Sequence, residues 1–301
     1  MDYNVYQEHI KVLNEKIGMP EEYGANVLEY CKKICADDAM SSKYLEIQDK
    51  YFNQQESETI EDIHSFADEH GFEKHMLTLT FCEMYSLYTL EIYKMRNYPM
   101  DVFYDSFKDL VIWGNVCKNQ HGIFGIANYG WVSEQIRATM FRLGRLQFHY
   151  ITYNEETYTH AGVTVKKGDT VLNIHIPEGE SLTAEKRLDS YRKAYKFFGQ
   201  TGNAVFVCDS WLLYPGHKEF LDPKSNILGF MSDFDVTSYR DKNSSEGFGD
   251  SWRIFGFLDS YAPETLPRNT GLQKAYAKRF EENGKVGAGF GIFIFDGEKR
   301  L

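Results

Sequence analysis

Over roughly the first 120 residues, apolar side chains recur at three- and four-residue spacing, the pattern of helices that bury one face. Four segments show it most clearly: LNEKIGMPEEYGANVLEYCKKI, ETIEDIHSFADEHG, HMLTLTFCEMYSLYTLEIYKM and PMDVFYDSFKDLVIWGNVC. Pro20 and Pro99 stand near helix starts, where a missing backbone N–H costs nothing. No convincing strand pattern interrupts these segments. The pattern predicts an all-helical N-terminal domain over residues 1–120.

From Leu143 onward the apolar spacing changes to two, which is typical of strands. The strand candidates are GRLQFHYITY, TVLNIHIP, AVFVCDSWLL, LGFMSDFDVTSY, WRIFGFL and GAGFGIFIF, and helices are predicted near residues 183–198, 214–221 and 269–282. The first two strands should pair antiparallel, because the connection NEETYTHAGVTVKKGD has no room for a crossover helix. A mixed α/β domain is therefore predicted over residues 121–301, with its boundary in KNQHGIFGIANYG. The polar segment RDKNSSEGFGDS is expected to be a mobile loop, either a lid or a surface excursion.

Charge and composition exclude several classes of partner. The formal net charge is −11, which disfavours nucleic acid and anionic membrane surfaces as partners. No apolar run approaches the roughly 20 residues that cross a bilayer, and the N-terminus lacks the apolar core of a signal peptide. Five cysteines without a CxxC pair suit reduced thiols, and Cys31 and Cys35, one helical turn apart, are expected to pack rather than bind metal. We expect a cytoplasmic protein without a metal site.

The stretch VLNIHIPEGES combines an apolar strand with polar chemistry. Its two-residue period places Val171, Asn173 and His175 on one face and Leu172, Ile174 and Ile176 on the other. A histidine at a strand end, ahead of a turn and a helix, could be a base for proton transfer. It could equally be a strand residue with a hydrogen bond.

The loop after this strand is a candidate anion site. Pro177 ends regular strand pairing, Gly179 lets the backbone turn, and Thr183 is a plausible N-cap for the following helix. Free N–H groups around residues 180–186 could then hold a phosphate. The carboxylates of Glu178, Glu180 and Glu185 oppose that interpretation, and a strand–loop–helix junction is also ordinary fold geometry.

A second polar cluster follows the next strand, in AVFVCDSWLLYPG. Asp209 could serve as a base or orient one, Cys208 or Ser210 could be a nucleophile, and Tyr214 could donate a proton. The structural alternative is that Cys208 packs while Asp209 and Ser210 cap the turn. In GAGFGIFIF, three glycines share one strand face, where packing explains them better than a ligand does.

Six ordered blocks resemble a bacterial family of two-domain acyltransferases, with a helical N-terminal domain and a GNAT-like, acyl-CoA-dependent N-acyltransferase C-terminal domain. The blocks are FRLGRLQF (141–148), LNIHIPEGESLT (172–183), FVCDSWLL (206–213), KSNILGF (224–230), WRIFGF (252–257) and LPRNTGLQKA (266–275). The resemblance implies a helical domain followed by a mixed, mostly antiparallel sheet flanked by helices. It also implies transfer of an acyl group, such as acetyl, from acyl-CoA to a small amine by direct attack, without metal.

The resemblance also suggests roles for individual residues. His175, or Glu178, would take the amine proton, with Asp209 in support, and Tyr214 would protonate the leaving thiolate. The cofactor would lie beside the LNIHIP strand, and its pyrophosphate would contact the loop residues Ile176, Gly179, Ser181 and Thr183. The family's phosphate loop usually reads Q/R-x-x-G-x-G/A, whereas PEGESLT has a single glycine and two carboxylates. A non-catalytic binding module on the same scaffold is therefore the alternative, and a Cys208–His175 hydrolase is a third.

Overall fold

The computed structural model describes residues 1–53 and 56–301, which pack as two compact units, residues 1–142 and 143–301. The sequence predicts a domain boundary between residues 120 and 121, whereas the packing divides the chain between residues 142 and 143. Helix α8 (Tyr129–Ile136) causes the difference, because it packs against the preceding helices of the first unit.

The first unit is helical, as predicted. Its helices are α1 (Tyr3–Ile17), α2 (Glu21–Ala36), α3 (Asp38–Phe52), α4 (Glu56–His70), α5 (Lys74–Met95), α6 (Met100–Phe107), α7 (Asp109–His121) and α8. Pro20 and Pro99 directly precede α2 and α6 as expected. Helix α5 carries buried residues around most of its circumference, because α1, α2, α4, α6, α7 and α8 all pack against it.

One carboxyl group in this helical core is completely removed from the solvent-exposed surface. Glu83 on α5 is fully buried, and burial raises its pKa to about 8, which the neighbouring Asn14 amide only partly offsets. Because the folded-state pKa lies above the ordinary 4.5, the protonated carboxyl favours folding at low pH. This contribution to the stability of the folded protein is lost as the pH rises from 4.5 through about 8, the pKa of Glu83 in the folded state.

We expect Glu83→Gln to flatten this pH dependence, because glutamine keeps the shape without an ionisable proton. At pH 7 the variant should be more stable to unfolding by up to about 3 kcal/mol, the cost of keeping the glutamate protonated. Urea denaturation at pH 5 and pH 8 measures the difference. Exposed Glu29, which pairs with Lys33, provides the control Glu29→Gln. A Glu83→Gln curve that follows the wild type at both pH values would contradict the assignment.

A mixed sheet has six strands in the order β1-β2-β5-β6-β8-β7, of which β2 and the later strands lie wholly within the second unit. The strands are β1 (Phe141–Leu143), β2 (Leu146–Thr152), β5 (Thr170–His175), β6 (Ala204–Ser210), β7 (Asp235–Asn243) and β8 (Lys285–Phe295), and β3 (Tyr158–His160) with β4 (Val163–Val165) forms a separate hairpin. Strand β2 pairs antiparallel with β5, as predicted; β6 and β7 pair antiparallel with β8, and β5 with β6 is parallel. The helices are α9 (Ala184–Phe197), α10 (Asn226–Met231), α11 (Ser251–Phe255) and α12 (Gly271–Glu281). A mixed, mostly antiparallel sheet with flanking helices confirms the predicted fold class.

Three local predictions for this unit were wrong. In the segment WRIFGFL, the first four residues belong to helix α11 rather than to a strand. The helix ends before Gly256, whose φ of +80° does not continue it. In LGFMSDFDVTSY the first residues are helical, because the Ser225 hydroxyl accepts from the Leu228 N–H and caps α10. The expected mobile loop after residue 240 begins as strand β7, which stays paired with β8 as far as Asn243.

The three glycines of β8 are explained by close packing, as the sequence favoured. A Cβ on Gly287 would lie 2.1 Å from the Arg240 carbonyl oxygen, and one on Gly289 would lie 2.4 Å from that of Leu213. A Cβ on Gly291 would meet the Phe234 side chain at 2.7 Å. Any larger residue would push the neighbouring backbone or ring away. Within the described ranges, none of the helices is both long enough and apolar enough to cross a membrane.

Candidate functional site

Strand β5 has one apolar face and one polar face. Leu172 and Ile174 are buried, and Leu172 lies beside Phe206 of β6, whose ring packs against Tyr191 of α9. Asn173 and His175 point to the opposite face and are half-buried. The predicted alternation is confirmed, and it places His175 on the sheet face away from α9.

On this face, His175 belongs to a cluster of three side chains. Its Nε2 atom lies 3.0 Å from Nε2 of His149 on β2 and 3.0 Å from the amide nitrogen of Asn173. The Asn173 nitrogen lies 3.1 Å from His149 Nε2. An unprotonated Nε2 accepts from the Asn173 amide, and where one ring carries its proton on Nε2, that ring donates to the other. The two basic nitrogens are close enough to share one proton.

The pairing between strands β5 and β6 ends beside this cluster. In their parallel pairing, Leu172 lies opposite Phe206 and Asn173 lies opposite Val207. Both strands continue beyond these two pairs. Beyond the two pairs, β5 stays paired with β2, and β6 stays paired with β8. The two strand ends that extend beyond this pairing, one of which carries His175, are called the wedge. In such a wedge, backbone groups that have left the ladder can bind an extended ligand.

The loop after β5 is held from outside by one arginine. Arg145 donates from Nη1 to the Pro177 carbonyl at 2.7 Å and from Nε to the Glu180 carbonyl at 2.5 Å. The Glu180 carboxylate forms an ion pair with Lys186 on the first turns of α9. Thr183 caps α9 as predicted, accepting from the Lys186 N–H at 3.4 Å. One of the carboxylates that opposed anion binding therefore has a cationic partner.

The other loop residues differ in exposure. Glu178, Gly179 and Ser181 are exposed, and Ile176 is half-buried. Gly179 has φ of +139°, which a residue with a Cβ adopts only under strain. The loop thus presents small or polar groups to solvent ahead of the helix start, in a conformation that depends on this glycine.

The polar residues at the end of β6 separate to different places. Asp209 lies on the same face as Val207 but is exposed, and Arg240 on β7 binds both of its oxygens at 2.9 and 3.2 Å. Ser210 caps the next turn by accepting from the Leu212 N–H at 3.2 Å. Cys208 points to the opposite face from His175, is fully buried, and burial raises the pKa of its thiol. The Cys208–His175 hydrolase is excluded by this placement.

Tyr214 lies on the β7 side of the sheet. Its buried hydroxyl donates to an Asp241 oxygen at 3.3 Å. Burial, together with the Asp241 charge, raises its pKa to about 12, so the hydroxyl keeps its proton at neutral pH. The structure therefore brings Asn173 and His175 together with His149, but no observed contact joins either Asp209 or Tyr214 to them. Within the described residues, no group of three histidine, cysteine or carboxylate side chains is placed to hold a metal ion.

His149 was missed by the sequence reasoning. Its strand was predicted, and so was the antiparallel pairing with β5, but the register that sets His149 beside Asn173 was not. The alternation in LQFHYIT was the available signal, because it puts Gln147 and His149 on one face. Arg145 braces the loop backbone through its contacts with the Pro177 and Glu180 carbonyls.

Two family models match the chain in succession. The N-acyltransferase N-terminal domain matches residues 8–138, and the GNAT-like C-terminal domain matches residues 140–293. Among curated protein sequences, none matches this chain.

Solved structures with the same fold include acyltransferases with bound thioesters. One, described as an acyltransferase in complex with decanoyl-CoA and teicoplanin, is 18% identical, with a TM-score of 0.72 over 95% of this chain and 87% of that one. Another, in complex with decanoyl-CoA, is 15% identical, with a TM-score of 0.63 over 94% of this chain and 98% of that one. At these identities the likeness establishes the fold.

Proposed function

Because the chain belongs to the family that joins an N-acyltransferase N-terminal domain to a GNAT-like C-terminal domain, we propose that it transfers an acyl group from acyl-CoA to a small amine. The observation that carries this proposal is the histidine pair at the edge of the wedge between β5 and β6. A base beside two strand ends that are no longer paired with each other is suited to direct attack of an amine on a thioester held along β5. No covalent enzyme intermediate is required.

His175 is the proposed base. A neutral imidazole takes the proton that the amine loses on attack, directly or through one water molecule. His149, with its Nε2 atom 3.0 Å away, then shares that proton and spreads the positive charge. Glu178 is a weaker candidate because its carboxylate is exposed, and Asp209 is weaker because Arg240 already binds it.

Tyr214 remains the proposed acid for the leaving thiolate. Its raised pKa keeps a proton available, and the hydroxyl must turn away from Asp241 to deliver it. This assignment depends on its position after β6, the strand that forms the other side of the wedge.

For the phosphates of the acyl-CoA, we propose the loop residues Ile176, Gly179, Ser181 and Thr183 together with the N-terminal turn of α9. The fit rests on the helix start that Thr183 caps and on the cations of Arg145 and Lys186 nearby. Coenzyme A supplies the activated thioester when bound. The chain's part is to hold it against β5 and to accept the amine proton.

The acceptor is proposed to be a small molecule rather than nucleic acid or membrane, because the net charge of −11 disfavours both. Reduced cysteines agree with a cytoplasmic location, which we also propose. Since one protein of the same fold is described with decanoyl-CoA and teicoplanin, long-chain thioesters belong in the substrate panel beside acetyl-CoA.

Calorimetric titration with acetyl-CoA tests the cofactor assignment. We expect binding to the wild type, accompanied by thermal stabilisation that grows with ligand concentration. Gly179→Ala should weaken the affinity about tenfold, roughly 1.4 kcal/mol, because the phosphate loop loses its conformation. Gly168→Ala is the matched control, since Gly168 also has a positive φ but lies in the turn before β5. Absence of heat and of any thermal shift at millimolar acetyl-CoA would contradict the proposal.

A further inference from the structure

Gln147 on β2 lies directly opposite His175 in the antiparallel ladder. Residues paired in this way share a sheet face, with their Cβ atoms about 5 Å apart. Gln147 therefore projects from the same face as His175 and His149. No role has been given to it so far.

The Gln147 side chain is completely buried, yet its amide makes no hydrogen bond. It has no exposed surface, and among residues 1–53 and 56–301 neither its Oε1 nor its Nε2 atom has a partner. A buried amide without partners destabilises a folded protein, so such a group at a functional site indicates a missing ligand. The neighbouring Asn173 contacts both histidine rings. Gln147 is thus a group beside His175 whose donor and acceptor both lack a partner within the described residues.

A carboxamide offers an acceptor oxygen and a donor nitrogen side by side. The reacting centre of acyl transfer needs both. A primary amine has two N–H groups, of which one proton goes to the base and the other stays on the product amide. The thioester carbonyl oxygen, bonded to the carbon under attack, gains negative charge at the same time.

We propose that Gln147 binds this reacting centre, accepting the retained amine N–H at Oε1 and donating from Nε2 to the thioester oxygen. The inference rests on the proposed acyltransferase function. As the nitrogen–carbon bond forms, one amine proton passes to His175, and the carbon–sulfur bond then breaks. The leaving thiolate takes the proton of Tyr214, the acid proposed above, and departs as the free thiol of coenzyme A, while His175 releases its proton to solvent and Tyr214 regains one from solvent. Gln147 is a catalytic residue in this scheme, because it contacts the reacting atoms and is unchanged at the end.

This role predicts that stability and activity change in opposite directions. Gln147→Met keeps the length and apolar bulk of the side chain and removes the unpartnered amide. We expect its Tm to rise by about 2–4 °C, because a destabilising group is gone. Its kcat and kcat/KM for acyl transfer should both fall about 100-fold, with KM for acyl-CoA unchanged. A residue that only supports the sheet would lose stability and activity together.

A matched control exists in the helical unit. Gln48 on α3 is also buried, and neither of its amide atoms has a partner within the described residues. Gln48→Met should raise Tm similarly and leave kcat at the wild-type value. As a second variant, Gln147→Asn keeps an amide that is one methylene shorter, and it should fold normally while losing most of the turnover.

The outcomes separate this inference from the proposed function. If wild-type protein releases no CoA with any amine or thioester, the acyltransferase proposal fails and the role of Gln147 fails with it. If the wild type is active and Gln147→Met keeps the wild-type kcat, the role proposed for Gln147 is wrong and the acyltransferase proposal stands. A fall in Tm or loss of folding in both Gln147 variants would also overturn the inference, because it would show that the amide supports the fold.

Discussion

Replacing His175 with alanine is expected to lower kcat for acyl transfer by about 10²–10⁴-fold, the usual contribution of a positioned base. Affinity for acyl-CoA should change little, because the proposed phosphate contacts lie in the loop beyond β5 and at the start of α9. Steady-state rates with saturating thioester, together with calorimetric binding of acetyl-CoA to the variant, measure the two effects separately.

Two other histidines serve as comparisons. His149→Ala should have a smaller effect on kcat than His175→Ala, because it removes the second proton acceptor and leaves the base. His160 on β3 is exposed and lies in the separate hairpin, so His160→Ala should leave kcat unchanged. Full activity of His175→Ala would remove the residue from the mechanism.

Replacing Arg187 with methionine should destabilise the protein by about 3–5 kcal/mol, as expected when one partner of a buried ion pair is removed. The Arg187 side chain is 6% exposed and binds Asp233 at 2.6 Å, while also donating to the carbonyls of Leu182 and Gly229 at 2.9 Å. One guanidinium thus joins the start of α9 to α10. Chemical denaturation of the variant measures the loss in free energy of unfolding.

A second substitution distinguishes the lost pair from lost packing. Arg187→Met combined with Asp233→Leu removes both charges, so it should recover part of the stability that the single variant loses. Tyr191 would lose its acceptor in the double variant, since its hydroxyl donates to Asp233 at 3.0 Å, and recovery should therefore be incomplete. A single variant as stable as the wild type would show that the ion pair contributes nothing to holding α9.

Features that act over a few residues were predictable from sequence. Thr183 caps α9 and Pro20 precedes α2, because both effects depend on groups within one helical turn. The two faces of β5 followed from strand periodicity. In contrast, Trp252 lies in a helix despite its aromatic and β-branched neighbours, because packing in the apolar cluster around Phe255 outweighs local strand preference.

The site itself depends on contacts between distant segments, and most of it could not be predicted. Gln147 and His149 reach His175 only through the register of β2 with β5. The carboxylates of PEGESLT cannot be judged by counting alone, because the sequence does not show that Glu180 pairs with Lys186. Nor does it show that Arg145 fixes the loop backbone. Side-chain partners, rather than residue types, decide the charge that a ligand meets.

Amine-dependent release of CoA is the most direct test of the central claim. Purified protein is incubated with acetyl-CoA or decanoyl-CoA and a panel of small amines, and free thiol and acylated product are measured with time. We expect thiol and amide to appear in equal amounts with at least one amine, and both to be lost in His175→Ala. Binding of acyl-CoA without amine-dependent thiol release across the whole panel would contradict an acyltransferase and identify a thioester-binding protein on the same fold.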